Sequence, residues 1–293
     1  MRHVQRTLDV SERRACRVLG QPRSTQRYPA KRPDQDRILV KAMDGLRRKH
    51  PRFGYRRIRR ELVKTGWRVN LKRVHRLWKE AGWQIRQKAR KRRRLGSSEG
   101  GCVLKQAERR NHVWSYDFIF DRTEDGRQLK FLPIMDEFTR EGLALEVDRS
   151  ITGEDVVDVL AYLFEVHGEP AYIRSDNGPE FVAKAVREWL EASGVATLFI
   201  EPGSPWENGY IEAFNSRLRD EFLNQELFTS LTEAQVLAER HRVYYNLDRP
   251  HSSLDYLSPA EFVASLPEQA RLPRKAGEAP DSPGIRESTF ILS

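Results

Sequence analysis

The feature that most limits how this chain can fold is an abrupt change of pattern at Gly96-Ser-Ser-Glu-Gly-Gly101. Before it, apolar residues recur with a helical period. After it, they come in short runs separated by turn signals. Charge changes at the same place. Residues 1–100 carry 32 of the 52 Lys/Arg and 8 of the 42 Asp/Glu, a balance of +24, which leaves 20 against 34 and a balance of −14 for the rest. The split predicts two domains, a basic helical one that meets a polyanion and an acidic one with other work. With 39% hydrophobic and 10% aromatic residues among 293, the chain can bury a sizeable core.

The basic part has its own punctuation. Residues 11–28 read as a helix capped by Ser11, with Ala15, Val18 and Leu19 inward, then a Gly20 turn and a short basic helix, giving a first segment over 1–30. Residues 31–95 repeat the theme as a three-helix unit. One helix carries Leu39, Ala42, Met43 and Leu46 and stops before Pro51; a second starts near Tyr55 with Ile58 and Leu62 inward. The third is capped by Asn70 and carries Val74, Leu77, Trp78 and Ala81. Arg56 and Arg57 on the second helix and Lys72, Arg73 and Arg76 on the third fall outside the apolar stripes. They are the candidate DNA contacts of an all-α helix-turn-helix region. The tract Arg86 to Arg94, with Lys91, Arg92 and Arg93 at its centre, reads equally as phosphate-seeking or as a solvated linker.

Past the linker (residues 96–108), Val113 to Phe120 reads as a strand interrupted by one carboxylate, Asp117. An ionised carboxylate there needs a cation, a set of donors or a raised pKa. Two more strand-like runs, Lys130 to Phe138 and Gly142 to Val147, complete an antiparallel meander. A helix capped by Thr152 and ending at Gly168, a strand ending at Asp176, a helix Val182 to Ala192, a strand Ala196 to Ile200 and a further helix then follow. The order β-β-β-α-β-α-β-α predicts α/β architecture over 109–265, a mixed five-stranded sheet flanked by helices.

Two carboxylates stand out in Tyr172 to Glu221. Asp176 ends an apolar run and precedes the Asn177-Gly178-Pro179 turn, so it belongs at the carboxyl end of a buried strand. Glu212 lies one turn inside a helix opening near Asn208. There Asn208, Glu212, Asn215 and Arg219 form a polar stripe beside the apolar stripe Ile211, Phe214, Leu218 and Phe222.

These residues carry a resemblance. Asp117, Asp176 and Glu212, with 35 residues between the last two, resemble the Asp-Asp-Glu triad of transposases and retroviral integrases on a ribonuclease H-like fold. Ser175 to Phe181 (SDNGPEF), Ser204 to Glu212 (SPWENGYIE), Arg219 and Tyr245 to Leu254 (YNLDRPHSSL) resemble the second-frame transposases of bacterial insertion sequences, over about residues 36–265. The resemblance implies 3′-end nicking and strand transfer of double-stranded DNA, both element ends and target. It implies two Mg2+ (or Mn2+) ions on the three carboxylates, with Asp117 bridging them. Arg219 would meet a phosphate, and Asn208 would cap its helix or orient substrate. Homo-oligomers on paired ends and a shorter upstream-frame partner are implied as well.

Composition excludes other classes. No apolar run approaches the ~20 residues that span a bilayer, and the first residues lack a signal-peptide core, so a cytoplasmic, nucleoid-associated protein is expected. Cys16 and Cys102 form no metal-binding pattern. Asp136 and Glu137 read as turn or surface groups, His167 as a helix-end cation, and His251 as a packing or DNA-contacting residue. Trp114, Trp189 and Trp206 read as packing residues, with Trp206 also able to stack on a base. Residues 266–293 read as a disordered tail. Two rival classes fit the same residues: a non-catalytic DNA-binding regulator derived from such an enzyme, and a ribonuclease H-like nuclease.

Overall fold

The computed structural model describes residues 2–27, 33–84, 106–175, 184–199 and 209–268. They fall into two compact units, Met1–Ala89 and Arg90–Ser293. The first is helical: α1 (Arg2–Leu8), α2 (Glu12–Val18), α3 (Arg23–Arg27), α4 (Pro33–Lys49), α5 (Tyr55–Lys64) and α6 (Leu71–Glu80). Ser11 caps α2 as expected, and Ala15 and Cys16 are buried. Val18 and Leu19 are not: they are 77% and 52% exposed. Glu12 draws Arg23 and Arg27 of α3 across the first turn of α2, and the last turn of this seven-residue helix is left outward.

In α4, α5 and α6 the apolar stripes behave as their spacing requires. Leu39, Met43, Ile58, Leu62, Val74, Leu77 and Trp78 are buried together with Phe53 and Val69 from the connecting turns. Each such side chain contributes on the order of 1.5–3 kcal/mol on leaving water. Asn70 caps α6 by accepting the Lys72 N–H at 2.9 Å. Ala81 is exposed because α6 ends one residue before it, at Glu80.

The second unit contains β1 (Val113–Tyr116), β2 (Ile119–Arg122), β3 (Gln128–Asp136), β4 (Gly142–Asp148), α7 (Gly153–His167), β5 (Tyr172–Ser175), α8 (Lys184–Ala192), β6 (Ala196–Phe199), α9 (Gly209–Glu221), α10 (Leu231–Leu247) and α11 (Pro259–Ser265). The sheet is mixed: β3 pairs antiparallel with β4, β1 and β2, whereas β1–β5 and β5–β6 are parallel. Thr152 opens α7 with a capping box closed by Asp155.

Among the described residues the sheet has six strands where five were expected, because the run 113–120 splits at Asp117-Phe118. The register does not slip across the break. Tyr116 faces Ile134 and Ile119 faces Phe131, so Asp117 falls opposite Pro133. The Glu137 N–H donates to the Val113 carbonyl, and alternation along β3 turns residue 133 toward the same edge. Proline has no N–H to give, so the ladder lacks a bond where Asp117 sits.

Period-two alternation divides the core into two layers. Leu132 and Ile134 join Trp114, Tyr116 and the inward residues of α7 and α8. Leu129, Phe131 and Met135 join Ile211, Phe214 and Leu218 of α9 and Ala234, Ala238 and Tyr245 of α10. With both faces covered, β3 must be apolar almost throughout. Since Trp114 and Tyr116 face α7, Ser115 and Asp117 face α9.

Candidate active site and DNA-contacting cations

Asp117 sits in the gap between β1 and β2, half-buried. Its Oδ1 accepts the Phe118 N–H at 2.8 Å, and its Oδ2 accepts Asn215 Nδ2 at 2.8 Å. Asn215 follows Glu212 by three residues on α9, one helical neighbour along. Ile211, Phe214 and Leu218 bury the other side of this helix. Glu212 is exposed, and Arg219, also exposed, donates to the Phe120 carbonyl at 3.1 Å. The stripe Glu212, Asn215, Arg219 therefore runs along the strand break that carries Asp117. Asp176, Asn208 and Trp206 lie outside the described residues, as do Lys91, Arg92 and Arg93.

Asn215 is the site residue that the sequence placed but left without work. Its spacing from Glu212 was the available signal; only the fold supplies its partner, 98 residues away. Its Oδ1 is buried and, among the described residues, has no hydrogen-bond partner.

Asp136 and Glu137 are not surface groups. They are 0% and 1% exposed. The end of β3 lies inside because this strand has neighbours on both edges. Asp136 accepts the N–H groups of Asn111, Phe138 and Thr139 and so shapes the β3–β4 turn, in which Arg140 takes φ +63°. Burial pushes its carboxyl upward against those donors. Glu137 accepts Arg174 Nε at 2.9 Å and a short hydrogen bond from Ser115 Oγ. Burial pushes the Glu137 carboxyl upward, and Arg174 and Ser115 pull it back.

His167 does end α7, yet burial pushes its imidazole downward, away from the helix-end cation expected. It packs edge-on against Trp114, which is fully buried. His251 takes the packing role. Its ring meets Tyr245 at 4.7 Å, and its Nε2 lies 2.7 Å from Arg249 Nη1. Arg249 in turn grips Glu221 with two bonds of 2.6 and 2.8 Å.

In the helical unit the candidate cations divide. Lys72 is exposed in the first turn of α6, Arg56 is exposed with its guanidinium over Tyr55, and Arg57 lies over Phe53. Arg73 and Arg76 are both drawn to Asp36 of α4, at 2.6 and 2.7 Å, and Arg76 also to Glu80. Asp36 carried no signal of this role, because the arginines it meets are 37 and 40 residues away in sequence.

Comparison with known families agrees with both halves of this description. Residues 107–205 and 193–259 match two families described as Integrase core domain, and residues 33–93 match an HTH-like domain. The chain is 39% identical to the insertion element IS407 uncharacterized 31.7 kDa protein of Burkholderia multivorans, over 90% of this chain and 94% of the relative. It is 37% identical to the insertion element IS476 uncharacterized 39.2 kDa protein of Xanthomonas euvesicatoria, over 94% and 78%. The transposase for insertion sequence element IS904 of Lactococcus lactis is 28% identical over 80% of this chain and 97% of that one.

Proposed function

We propose a chemistry for this chain from one premise: it belongs to the integrase-core transposases of insertion elements. On this reading the chain nicks the 3′ ends of its element and joins them to a target phosphodiester, with Asp117, Asp176 and Glu212 holding divalent metal. The observation that carries it is the Asn215–Asp117 hydrogen bond, which ties the helix of Glu212 to the strand break that exposes Asp117.

The donor set fits the ion. Mg2+ and Mn2+ take carboxylate oxygens, and Asp117 and Glu212 supply them. Ser115 pairs in parallel register with Arg174, and two residues further along each chain segment stand Asp117 and Asp176. The orphaned Oδ1 of Asn215 leaves a buried acceptor at the same place for a water or a substrate donor. Two such ions, when bound, supply the activation of the attacking oxygen and the charge that steadies the leaving one.

The chain's own residues do the rest. Asn215 holds Asp117 by one carboxylate oxygen. Arg219, exposed beside Phe120, meets a phosphate, and Asn208 caps its helix or orients substrate. Arg56, Arg57 and Lys72, with the basic tract containing Lys91, Arg92 and Arg93, bind element ends through residues 31–95, while 109–265 performs the chemistry. Arg73 and Arg76 contact DNA while remaining paired with Asp36. Assembly on paired ends, a shorter upstream-frame partner and a cytoplasmic, nucleoid-bound location complete the proposal. Among the described residues, no helix is long and apolar enough to cross a membrane.

A strand-transfer assay with labelled element ends tests the reading. Asp176→Asn should keep binding the ends while nicking and joining vanish. Undiminished joining by that variant removes the site assignment.

A further inference from the structure

The turn between β3 and β4 sends one side chain to α9, the helix of Glu212, and the proposed chemistry does not use it. Arg140 lies on that turn with φ +63°, a left-handed backbone that any residue but glycine adopts at a cost. Asp136 holds it there. Its carboxylate accepts the N–H groups of Phe138 and Thr139, and its carbonyl accepts the N–H of Arg140 itself. From this fixed backbone the Arg140 guanidinium lies over the Tyr210 ring, 4.0 Å from its centroid. Both residues are half-buried. Among the described residues, Nη1 of Arg140 is buried without a hydrogen-bond partner, so the electron-rich ring face stands in for the water it has lost.

Tyr210 is the second residue of α9 and Glu212 the fourth, so both stand in its first turn. That turn is the weakest part of any helix, because its N–H groups have no partner one turn back and helix ends open more readily than middles. The polar fastenings of α9 to the sheet at Asn215 and Arg219 both lie past Glu212. Arg140 on Tyr210 is a fastening ahead of it. A carboxylate that must meet a metal ion to within about 0.5 Å needs its backbone held on both sides. Glu137 also feels the positive charge of Arg140, so the effect of that charge has to be separated from the effect of stacking.

We propose that Arg140 is a positioning residue for Glu212: stacked on Tyr210, it fixes the first turn of α9 and so the place from which the Glu212 carboxylate reaches divalent metal. Metal affinity then depends on a turn of the sheet that touches no metal. The inference rests on the reading of Glu212 as a metal ligand.

The test reads the helix and the metal separately in the full chain without DNA. Amide hydrogen exchange in the absence of metal follows Ala213 and Phe214, whose N–H groups bond back to the first turn, and a calorimetric Mn2+ titration follows binding. Arg140→Lys keeps the charge and removes the planar stack. It should speed exchange at Ala213 and Phe214 and weaken Mn2+ binding, each roughly five-fold, with exchange at Leu218 unaltered. Tyr210→Leu should do the same, and the two together no more than either alone. Tyr210→Phe keeps the ring face, and its exchange should stay within about two-fold of the unaltered chain. Unaltered exchange in Arg140→Lys overturns the proposal. So does faster exchange with unaltered Mn2+ affinity, since the stack would then be merely structural. If Arg140→Lys does not fold, Tyr210→Leu decides by the same two readings. Mn2+ binding undiminished in Glu212→Gln, or absent in the unaltered chain, would fail the metal-ligand reading itself, a distinguishable result because exchange would still respond to Arg140→Lys.

Discussion

The two units handle opposite charges in contrasting ways. In the helical unit Asp36 joins Arg73 and Arg76 near the surface, with side chains 23%, 29% and 50% exposed. In the sheet unit Arg249–Glu221 and Arg174–Glu137 are sealed, at 1% and 6% and at 5% and 0%. Three helices around a handful of apolar side chains leave the guanidinium groups of Arg73 and Arg76 partly in water. A sheet with an apolar layer on each face can bury such a group. The lesson is that an equally short ion pair means different things in the two places: a loose clamp between helices in one, and an obligatory match in the other.

The contrast breaks most readily at Arg249. Arg249→Met takes the doubly bonded guanidinium away from the buried Glu221 carboxylate, and should destabilise the chain by about 3–5 kcal/mol. The urea midpoint of the sheet unit reads this directly, and a loss no larger than a surface pair would give erases the distinction.

A second, somewhat smaller effect sharpens it through pH. His241 stacks on Phe222 beside the same pair, and burial pushes its imidazole from 6.5 down to about 4. The unfolded chain takes up that proton first, so the stability from the neutral imidazole is complete above pH 6.5 and drains as pH falls toward 4. The whole window is worth on the order of 3 kcal/mol. Replacing the ring by His241→Phe should flatten stability between those pH values relative to the unaltered chain. Parallel profiles would mean that the ring is solvated.

The smallest effect belongs to the helical unit. Asp36→Asn should cost no more than about 1 kcal/mol in thermal unfolding, as partly exposed pairs do. A larger loss would show that the clamp between α4 and α6 is desolvated after all.

Much of this was readable from local pattern. The caps at Ser11, Asn70 and Thr152 stand where the sequence put them, because a cap is decided within three residues. The succession of strand runs and helices along the chain and the mixed character of the sheet also follow, since each run and its turn are short-range signals. The break at Asp117 did not. It depends on Pro133 across the ladder, and a single proline says nothing until register fixes what it faces. Val18, Leu19 and Ala81 were misplaced at helix ends, where periodicity continues on paper after the covering neighbour has stopped.

By itself the sequence determined most of the elements, the division of charge between the two parts of the chain, and the three acidic residues that we propose as a metal site. Tertiary structure alone decided which of the other charged groups are buried and whom they meet. It sent Asp136 and Glu137 inward, joined Glu137 to Arg174 across 37 residues and Asn215 to Asp117 across 98. The reason is range: hydrophobic period and capping act over one or two turns of chain, whereas the cost of an unmatched buried charge is settled only by what the completed fold places beside it.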